Sequence, residues 1–406
     1  MVAQLLTTDQ VAERLGVKPA TVYAYVSRGL LPSRRNAAGK GSLFDKADVD
    51  ALIAGRKRVT PNIQTGITLI RDGGLFYRGR DATELARTSG FEAVAGLLWT
   101  GEPGHEPFPR NPAQVALARR IGAELPPAAR LVDRLRVTVA AIAAADPLRF
   151  DTTPAAVLAT GRALIATMVD ALPPRSAGPG PARPGDVEQT VEAPESEPTT
   201  LVELLWPRLT AQPIDDAGRR VLEAALILLA DHDIAASTLA ARVAASTRAH
   251  PYAVVSAGLA ALDGPLHGAA SEQVYPLLAD ALTGADPIGI ISERLRTGGD
   301  LPGFGHPLYP SGDPRATTLF ALLAGHPAAD AALRLADAVR TRSGIPPNID
   351  LALAALALRH DMPADAGEAI FAVARTAGWL AHALEEYANR PARFRPTGQY
   401  SGRPPR

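Results

Sequence analysis

The chain contains no cysteine and only 3 methionines, and aromatic residues make up 5% of it. The absence of cysteine excludes disulfides, thiol nucleophiles and cysteine-ligated zinc. An excess of charge of one sign is also lacking, because 42 Lys+Arg balance 42 Asp+Glu. A neutral chain gives no global electrostatic reason to expect a nucleic-acid or membrane partner, so any basic surface must be local.

Long apolar runs are missing as well. The apolar stretch 221–230 is too short to span a membrane and ends in charged residues. No signal peptide is recognisable, since residues 1–4 lead directly into polar, helix-capping sequence. We therefore expect a soluble, cytoplasmic protein. With 406 residues, 47% of them hydrophobic and alanine dominant, the chain is long enough for two or three domains with helical cores.

Residues that can carry chemistry concentrate in short segments rich in Gly, Pro and Ser between helical stretches. These segments are 231–238, 265–272, 303–306, 313–315 and 343–350. Small residues let a ligand approach the backbone closely, and imidazole exchanges protons near neutral pH. One histidine in such a turn is more often structural, but three histidines with an aspartate and an arginine are hard to explain as core filler.

In this order the segments resemble those of citrate synthases. That family carries His-Glu-x-Asn-Ala-Ser-Thr, Pro-Leu-His-Gly-Gly-Ala-Asn-Glu, Gly-x-Gly-His followed by Asp-Pro-Arg, and Asn-Val-Asp. The resemblance covers about residues 66–402. It implies an all-α, two-domain helical fold and the condensation of acetyl-CoA with oxaloacetate to citrate and CoA.

This reaction needs a base for the weakly acidic thioester methyl group and hydrogen-bond donors for the enol and ketone oxygens. The resemblance implies that Asp350 is the base and that His267 stabilises the enol. It implies that His306 donates to the ketone, and that His232, assisted by Arg315, binds a substrate carboxylate or carbonyl. Without the family, Asp350 in its expected non-helical turn would be interpreted as a turn or N-cap aspartate.

Two further arginines match the family and would bind substrate. Arg375 lies in Ala-Arg-Thr-Ala-Gly-Trp, and Arg395 begins Arg-Pro-Thr-Gly-Gln-Tyr-Ser-Gly. In the family the last arginine reaches the neighbouring subunit's site, which implies a homodimer with shared active sites. The alternative is that both are solvated helix-end and tail arginines, and Arg393 beside Arg395 leaves the second assignment open.

One departure affects the CoA half of the site. Pro307 and Pro310 stand where the family has basic residues that help to hold the CoA phosphates. Proline cannot supply a positive charge or a backbone donor. The nucleotide would then be held weakly, or by other cations such as Arg342 or Arg248.

Residues 1–58 are predicted to form a separate module that resembles the MerR/excisionase type of winged helix-turn-helix. Thr8 is predicted to cap a first helix that Gly16 ends, and the proline that follows opens a second helix. The segment 34–44 is predicted to form a two-stranded wing, and 46–54 a closing helix. A helix, a short turn with glycine and a second helix are typical of this motif.

The charge of this module favours contact with DNA. Residues 1–58 hold ten Lys+Arg and five Asp+Glu, a net charge of +5 in a neutral chain. The predicted contacts, two toward the groove and four to phosphates, are Thr21, Tyr23, Arg28, Arg34, Arg35 and Lys40. The alternative is a retained fold that serves dimerisation or regulation.

The remaining boundaries follow from the resemblance and from composition. The large domain is predicted over 59–268 and resumes over 363–406, and the small domain is predicted over 269–362. A hairpin is expected within 66–80 around Asp-Gly-Gly. The Pro-, Gly- and Glu-rich segment 173–200 is predicted to be a disordered insertion.

Three classes of function remain. The leading one is a citrate synthase-type acyltransferase, with 2-methylcitrate synthase, which uses propionyl-CoA, as a close relative. The second is a catalytically weak DNA-binding sensor of citrate or oxaloacetate. The third, a hydrolytic metal enzyme, is disfavoured because no His-x-x-x-His or comparable spacing occurs. We expect no metal and no cofactor, since acyl-CoA is a substrate.

Overall fold

The structure, a computed structural model, describes residues 5–27, 31–35, 41–56, 63–104, 106–175, 200–268, 270–297, 299–394 and 402. The chain divides into two compact units, Met1–Gln64 and Thr65–Arg406. The predicted insertion lies outside the described residues over 176–199.

The first unit contains three short strands and three helices. They are β1 Leu5–Thr7, α1 Thr8–Leu15, α2 Pro19–Ser27, β2 Arg34–Arg35, β3 Ser42–Asp45 and α3 Lys46–Arg56. The strands form an antiparallel sheet in the order β1-β3-β2. The predicted wing, formed by β2 and β3, is confirmed, whereas β1 was not predicted. Val11, Val22 and Phe44 lie in the core of this unit with 0% of their surface exposed.

The start of α1 differs from the prediction by one residue. The N-cap is Thr7, not Thr8: the Thr7 side chain accepts from the Gln10 N–H, and the Gln10 side chain accepts from the Thr7 N–H at 2.9 Å. Thr7 is also the last residue of β1, and pairing with β3 keeps its backbone extended, as an N-cap requires. Gly16 ends α1 with a φ of 65°, as predicted.

The second unit opens with a small antiparallel sheet. Its strands are β4 Thr68–Arg71, β5 Gly74–Tyr77 and β6 Arg80–Asp81. Asp72 and Gly73 have φ values of 51° and 77°, the left-handed backbone that a two-residue hairpin turn needs. The predicted hairpin is therefore confirmed. The Tyr77 hydroxyl donates to the Asp231 backbone carbonyl at 3.0 Å, which ties the sheet to the segment before His232.

Helices form the rest of this unit, and the predicted all-α class is confirmed. They are α4 Ala82–Thr88, α5 Phe91–Thr100, α6 Pro112–Gly122, α7 Leu131–Ala145, α8 Pro154–Asp170, α9 Leu201–Leu209, α10 Asp216–Leu229, α11 Ala236–Ser246, α12 Pro251–Leu262, α13 Ala270–Leu282, α14 Pro287–Arg296, α15 Pro314–Leu323, α16 Pro327–Ser343, α17 Ile349–Arg359 and α18 Ala366–Ala388.

Helix α18 lies at the centre of this unit. Every residue over 366–383 is buried, and α18 packs against α5, α7, α8, α10, α11, α12, α13 and α17. Its approach to the end of α10 depends on Gly378, whose N–H donates to the Ala230 carbonyl at 3.1 Å. A Cβ at position 378 would lie 2.4 Å from that oxygen, so any larger residue would push the two helices apart.

Helices α13 to α17 pack mainly on one another. Within this group α13 contacts α16 and α17, and α15 contacts α17. The group meets the rest of the unit where α13 and α17 contact α18 and where α15 contacts α10. The predicted site residues of the described part lie at this junction, the three histidines on loops and Arg315, Asp350 and Arg375 on α15, α17 and α18.

Candidate active site

Six of the seven predicted catalytic and substrate-binding residues line one cavity of about 440 Å³. They are His232, His267, His306, Arg315, Asp350 and Arg375. The seventh, Arg395, lies outside the described residues. The cavity is open to solvent on one side and lies at the junction of α13–α17 with α18.

The loop that carries His306 and the loop that precedes Asp350 are joined by three hydrogen bonds. The Asn348 N–H donates to the Gly303 carbonyl at 2.9 Å, and the Asn348 side chain donates to the Gly305 carbonyl at 3.0 Å. The Gly305 N–H donates back to the second loop at 2.8 Å. Gly303 and Gly305 have φ values of 87° and 73°, a backbone region that disfavours side chains. The glycines therefore let the two loops pair.

Asp350 lies in the first turn of α17, so the prediction of a non-helical turn was wrong. Asn348 is the N-cap, and its side chain accepts from the Asp350 N–H at 3.0 Å. The Asp350 side chain is partly buried. Burial raises its pKa to about 7, although the nearby Arg315 opposes this rise. A carboxylate with such a pKa is suited to act as a base near neutral pH.

His306 is oriented by its own loop. Its Nδ1 accepts from the Leu308 N–H at 3.1 Å, which assigns the proton of the neutral ring to Nε2. Burial lowers the His306 pKa, and the positive charge of Arg315 lowers it further. His306 is therefore neutral at physiological pH and can donate through Nε2.

His267 is held by the start of α11. Its Nε2 lies 2.7 Å from the Ser237 hydroxyl and accepts from the Ser237 N–H at 3.4 Å, so the ring proton is assigned to Nδ1. Burial and the charge of Arg375 lower the His267 pKa to about 4. The ring also contacts Phe371 edge to face, with centroids 5.7 Å apart. A neutral imidazole with a free Nδ1–H results.

His232 is the most buried of the three histidines, with 6% of its surface exposed. Its Nε2 lies 2.9 Å from the Tyr309 hydroxyl, and its ring meets that of His306 edge to face at 5.0 Å. Burial, with Arg315 next, lowers its pKa well below the usual value. The three imidazoles therefore add no charge to the cavity.

The two arginines supply the positive charge of the cavity. Arg315 is 2% exposed and binds Asp313 with two hydrogen bonds, from Nε at 3.0 Å and from Nη2 at 2.8 Å. Arg375 is 1% exposed; its Nε donates to the Leu229 carbonyl at 2.7 Å, and its Nη1 and Nη2 have no partner. Burial lowers the Arg375 pKa to about 10, so it stays a cation. The alternative that Arg375 is solvated is wrong.

A buried network lies behind His232. Asp231 is 0% exposed, and its Oδ2 accepts from the Thr68 hydroxyl at 2.5 Å and from His382 Nε2 at 3.3 Å. On its other side His382 is hydrogen-bonded to Arg242. This network holds the segment before His232 against α11 and α18.

The residues that orient the site were not predicted from the sequence. Ser237 and Asp313 lie inside the motif segments, so their positions were visible but their contacts were not. Tyr309 lies between Pro307 and Pro310, which replace basic residues of the family. Phe371 could have been found from its spacing, because it lies four residues before Arg375 on one helix face, and the Arg375 guanidinium lies 4.5 Å from its ring centroid.

The cations suggested for the nucleotide do not line the cavity. Arg248 donates to the carbonyls of Glu386 at 2.8 Å and Asn389 at 2.7 Å. Arg342 lies at the exposed end of α16. Arg393, the residue that left the assignment of Arg395 open, donates from Nε to the Glu386 carboxylate at 2.7 Å. Its side chain is therefore paired with the last turn of α18.

The predicted DNA contacts of the first unit are partly described. Tyr23 is 53% exposed, whereas Thr21 is partly buried. Arg34 is exposed. Arg34 and Arg35 form β2, which pairs with β3. Two predicted contacts lie outside the described residues: Arg28 and Lys40.

Within the described part of the chain, no three His, Asp or Glu side chains are placed to hold a metal ion. Among the helices described, none combines the length and the apolar composition that a membrane span requires.

Two family models match the chain. The model described as citrate synthase, C-terminal domain, matches residues 57–397. The model described as a helix-turn-helix domain matches residues 5–57. The resemblances of both parts of the chain are confirmed.

Known proteins of similar sequence and structure agree with the family match. A citrate synthase of Synechocystis sp. is 32% identical over 352 residues, 82% of this chain and 86% of the relative. A 2-methylcitrate synthase of Corynebacterium glutamicum is 30% identical over 349 residues, 81% of this chain and 88% of the relative. A citrate synthase structure from Thermotoga maritima has a TM-score of 0.64 at 25% identity, covering 85% of this chain and 94% of that chain.

A further structure, from Thermoplasma acidophilum, is a ternary complex of citrate synthase with carboxymethyl coenzyme A and oxaloacetate. Its TM-score is 0.67 at 23% identity, with 87% of this chain and 97% of that chain covered. At this identity the likeness is one of fold.

Proposed function

Because this chain belongs to the citrate synthase family and is an enzyme of the citrate synthase type, we propose that it condenses acetyl-CoA with oxaloacetate to citrate and CoA. The observation that supports this most directly is one cavity lined by a carboxylate with a pKa of about 7, neutral imidazoles and buried guanidinium groups. No cofactor takes part, since the thioester is itself a substrate.

The first step is enolisation of the thioester. The Asp350 carboxylate removes a proton from the methyl carbon, and the Nδ1–H of His267 donates to the thioester oxygen as negative charge develops there. Support comes from the Ser237 contacts that leave Nδ1 of His267 as its donor. The C–H bond breaks, its proton moves to Asp350, and its electron pair forms the carbon–carbon double bond of the enol.

The second step forms the carbon–carbon bond. The enol carbon attacks the ketone carbon, and the ketone oxygen takes a proton from Nε2 of His306. His306 regains a proton from solvent and Asp350 returns its proton to solvent, so both groups end the cycle as they began it. The free Nη groups of Arg375, together with Arg315 and His232, bind the carboxylates of oxaloacetate. Water then hydrolyses the citryl thioester, which releases the CoA thiol and citrate.

Thiol release tests this proposal. The wild type should release CoA from acetyl-CoA only when oxaloacetate is present, and Asp350→Asn should abolish release while binding of oxaloacetate persists. Asp337→Asn, an exposed carboxylate paired with Arg340 at 2.8 Å, is the matched control and should retain full activity. If the wild type binds oxaloacetate or citrate but releases no thiol, the sensor function becomes the better account.

Propionyl-CoA is the alternative thioester, since a relative is named 2-methylcitrate synthase. One additional methylene changes the free energy of binding in an apolar pocket by only about 1–3 kcal/mol, so both thioesters should be used at different rates. The ratio of kcat/KM for acetyl-CoA and propionyl-CoA decides which thioester is the preferred substrate. A ratio above about 10 in favour of propionyl-CoA would replace citrate by 2-methylcitrate as the product.

The first unit would bind DNA through its helix-turn-helix. Support comes from the family match over 5–57, the net charge of +5 through residue 58 and the exposed Tyr23 and Arg34. Binding to genomic fragments should weaken with salt, and Arg34→Ala plus Arg35→Ala should reduce it. Binding that survives the double substitution would contradict these contacts.

A homodimer with shared sites would complete the cavity. Leu239 and Val243 support a partner surface, because they are one turn apart on α11 and each is 39% exposed. If Arg395 reaches the partner's site, mixing inactive Arg395→Ala with inactive Asp350→Asn should restore roughly a quarter of the activity through hybrid dimers. No recovery after subunit exchange would contradict sharing. The cytoplasmic location stays a prediction from the sequence.

A further inference from the structure

The solvent-exposed rim of the active-site cavity is apolar. Of the lining residues that the structure describes, four exposed ones are apolar: Ala236, Pro265, Leu266 and Pro307. Leu266 is 97% exposed although it directly precedes His267. Leu308, next to Pro307, is 46% exposed. Adjacent exposed apolar side chains at the opening of a substrate cavity are typical of a surface that contacts a ligand.

Among the exposed lining residues that the structure describes, Asp300 alone is charged. The other exposed lining residues of the described part are the neutral Gln273 and the acidic Asp300. The cations of the cavity lie at its floor, where Arg315 is held by Asp313 and Arg375 is 1% exposed. Arg294 lies near the rim, but its Nε donates to the Asp300 backbone carbonyl at 3.0 Å and it does not line the cavity.

An acyl-CoA has two parts with opposite demands. The pantetheine arm is neutral and presents amides and methyl groups, whereas the nucleotide end carries several negative phosphates. A site that binds phosphates gains about tenfold or more in affinity from each charge-assisted hydrogen bond. The rim offers the pantetheine arm an apolar surface and offers the phosphates a carboxylate.

We propose that this site recognises its acyl thioester through the pantetheine arm alone, so that its substrate class includes neutral acyl-pantetheine thioesters as well as acyl-CoA. The proposal rests on the proposed condensing function and concerns the carrier half of the same substrate. The reacting atoms are unchanged: the acyl methyl carbon still loses its proton to Asp350, and the thiol released by hydrolysis is pantetheine instead of CoA.

The first test compares acetyl-CoA with acetylpantetheine at saturating oxaloacetate. The two kcat/KM values should agree within about threefold. Because like charges repel less when screened, the KM for acetyl-CoA should fall or stay constant between about 20 and about 200 mM salt, whereas the KM for acetylpantetheine should not change. A preference for acetyl-CoA above about 30-fold, with a KM that rises with salt, would overturn the proposal.

A charge reversal at the rim gives the second test. Asp300→Lys should lower the KM for acetyl-CoA about three- to tenfold at low salt and make it rise with salt, with no change for acetylpantetheine. Asp337→Lys, an equal charge change on the exposed face of α16, is the control and should change neither KM. An equal effect of Asp300→Lys on both thioesters, or none on acetyl-CoA, would show that the nucleotide does not pass this rim and would overturn the proposal.

The two proposals fail in different ways. If neither thioester is consumed, the condensing function is wrong. If only acetyl-CoA is consumed, the condensing function holds and recognition by the pantetheine arm alone is wrong.

Discussion

Asp350→Asn should make the protein more resistant to unfolding than the wild type at pH 8, but not at pH 4. The Asp350 pKa is 3.8 in a solvent-exposed chain, such as the unfolded protein, and about 7 in the folded protein. Burial causes this rise of about 3 pH units. At about 1.4 kcal/mol per unit, ionising this carboxylate in the cavity costs about 4 kcal/mol relative to the unfolded chain. Because the side chain is partly exposed to solvent, this is an upper value.

The sign follows from which state binds the proton. Below pH 4 both the folded and the unfolded chain hold it, and the two proteins should differ little. Between about pH 4 and pH 7 only the folded wild type retains the proton, so its stability falls with rising pH, and above pH 7 the loss is constant. Asparagine has no charge at any pH and avoids this loss.

Thermal unfolding followed by circular dichroism at several pH values measures the effect. For a unit of this size, about 4 kcal/mol corresponds to roughly 5–6 °C in Tm, so the Tm difference between Asp350→Asn and wild type should grow to that value by pH 8. Asp337→Asn should give the same Tm difference from wild type at every pH. A wild type that is more stable than Asp350→Asn at pH 8 would show that Arg315 stabilises the carboxylate more than burial destabilises it.

Three further outcomes follow from the site. The kcat/KM for the thioester should rise with pH through an apparent pKa of about 7 as Asp350 ionises, and a rate–pH profile that is flat from about pH 5 upward would contradict this base. Arg375→Lys should raise the KM for oxaloacetate about 10- to 100-fold and leave the KM for the thioester unchanged, because lysine cannot present two free Nη donors; steady-state kinetics measures both. Tyr309→Phe should lower kcat/KM for oxaloacetate about tenfold in the same assay by leaving buried His232 without its partner at 2.9 Å, and an unchanged value would exclude a positioning role for the hydroxyl.

Local signals in the sequence were sufficient for several elements. The Asp72–Gly73 pair predicted its hairpin because only a left-handed backbone can make that turn. Gly16 ended its helix for the same reason. The errors were also local: Thr7, not Thr8, is the N-cap of α1, and Asp350 lies in the first turn of α17, after the N-cap Asn348, and not in a non-helical turn. Neighbouring residues with similar capping ability cannot be separated until strand and loop pairing fixes the backbone.

The amino-acid sequence identifies the chemical groups of the site and their order along the chain, since His232, His267, His306 and Asp350 are recognisable from their motif segments. Their protonation depends on the folded protein, because a pKa reflects burial and charges from distant segments. Asp350 acquires a pKa of about 7 only where helices α13–α17 meet α18 and shield its carboxylate from part of the solvent. The apolar rim is likewise a property of distant segments that meet in space, and no local pattern encodes it.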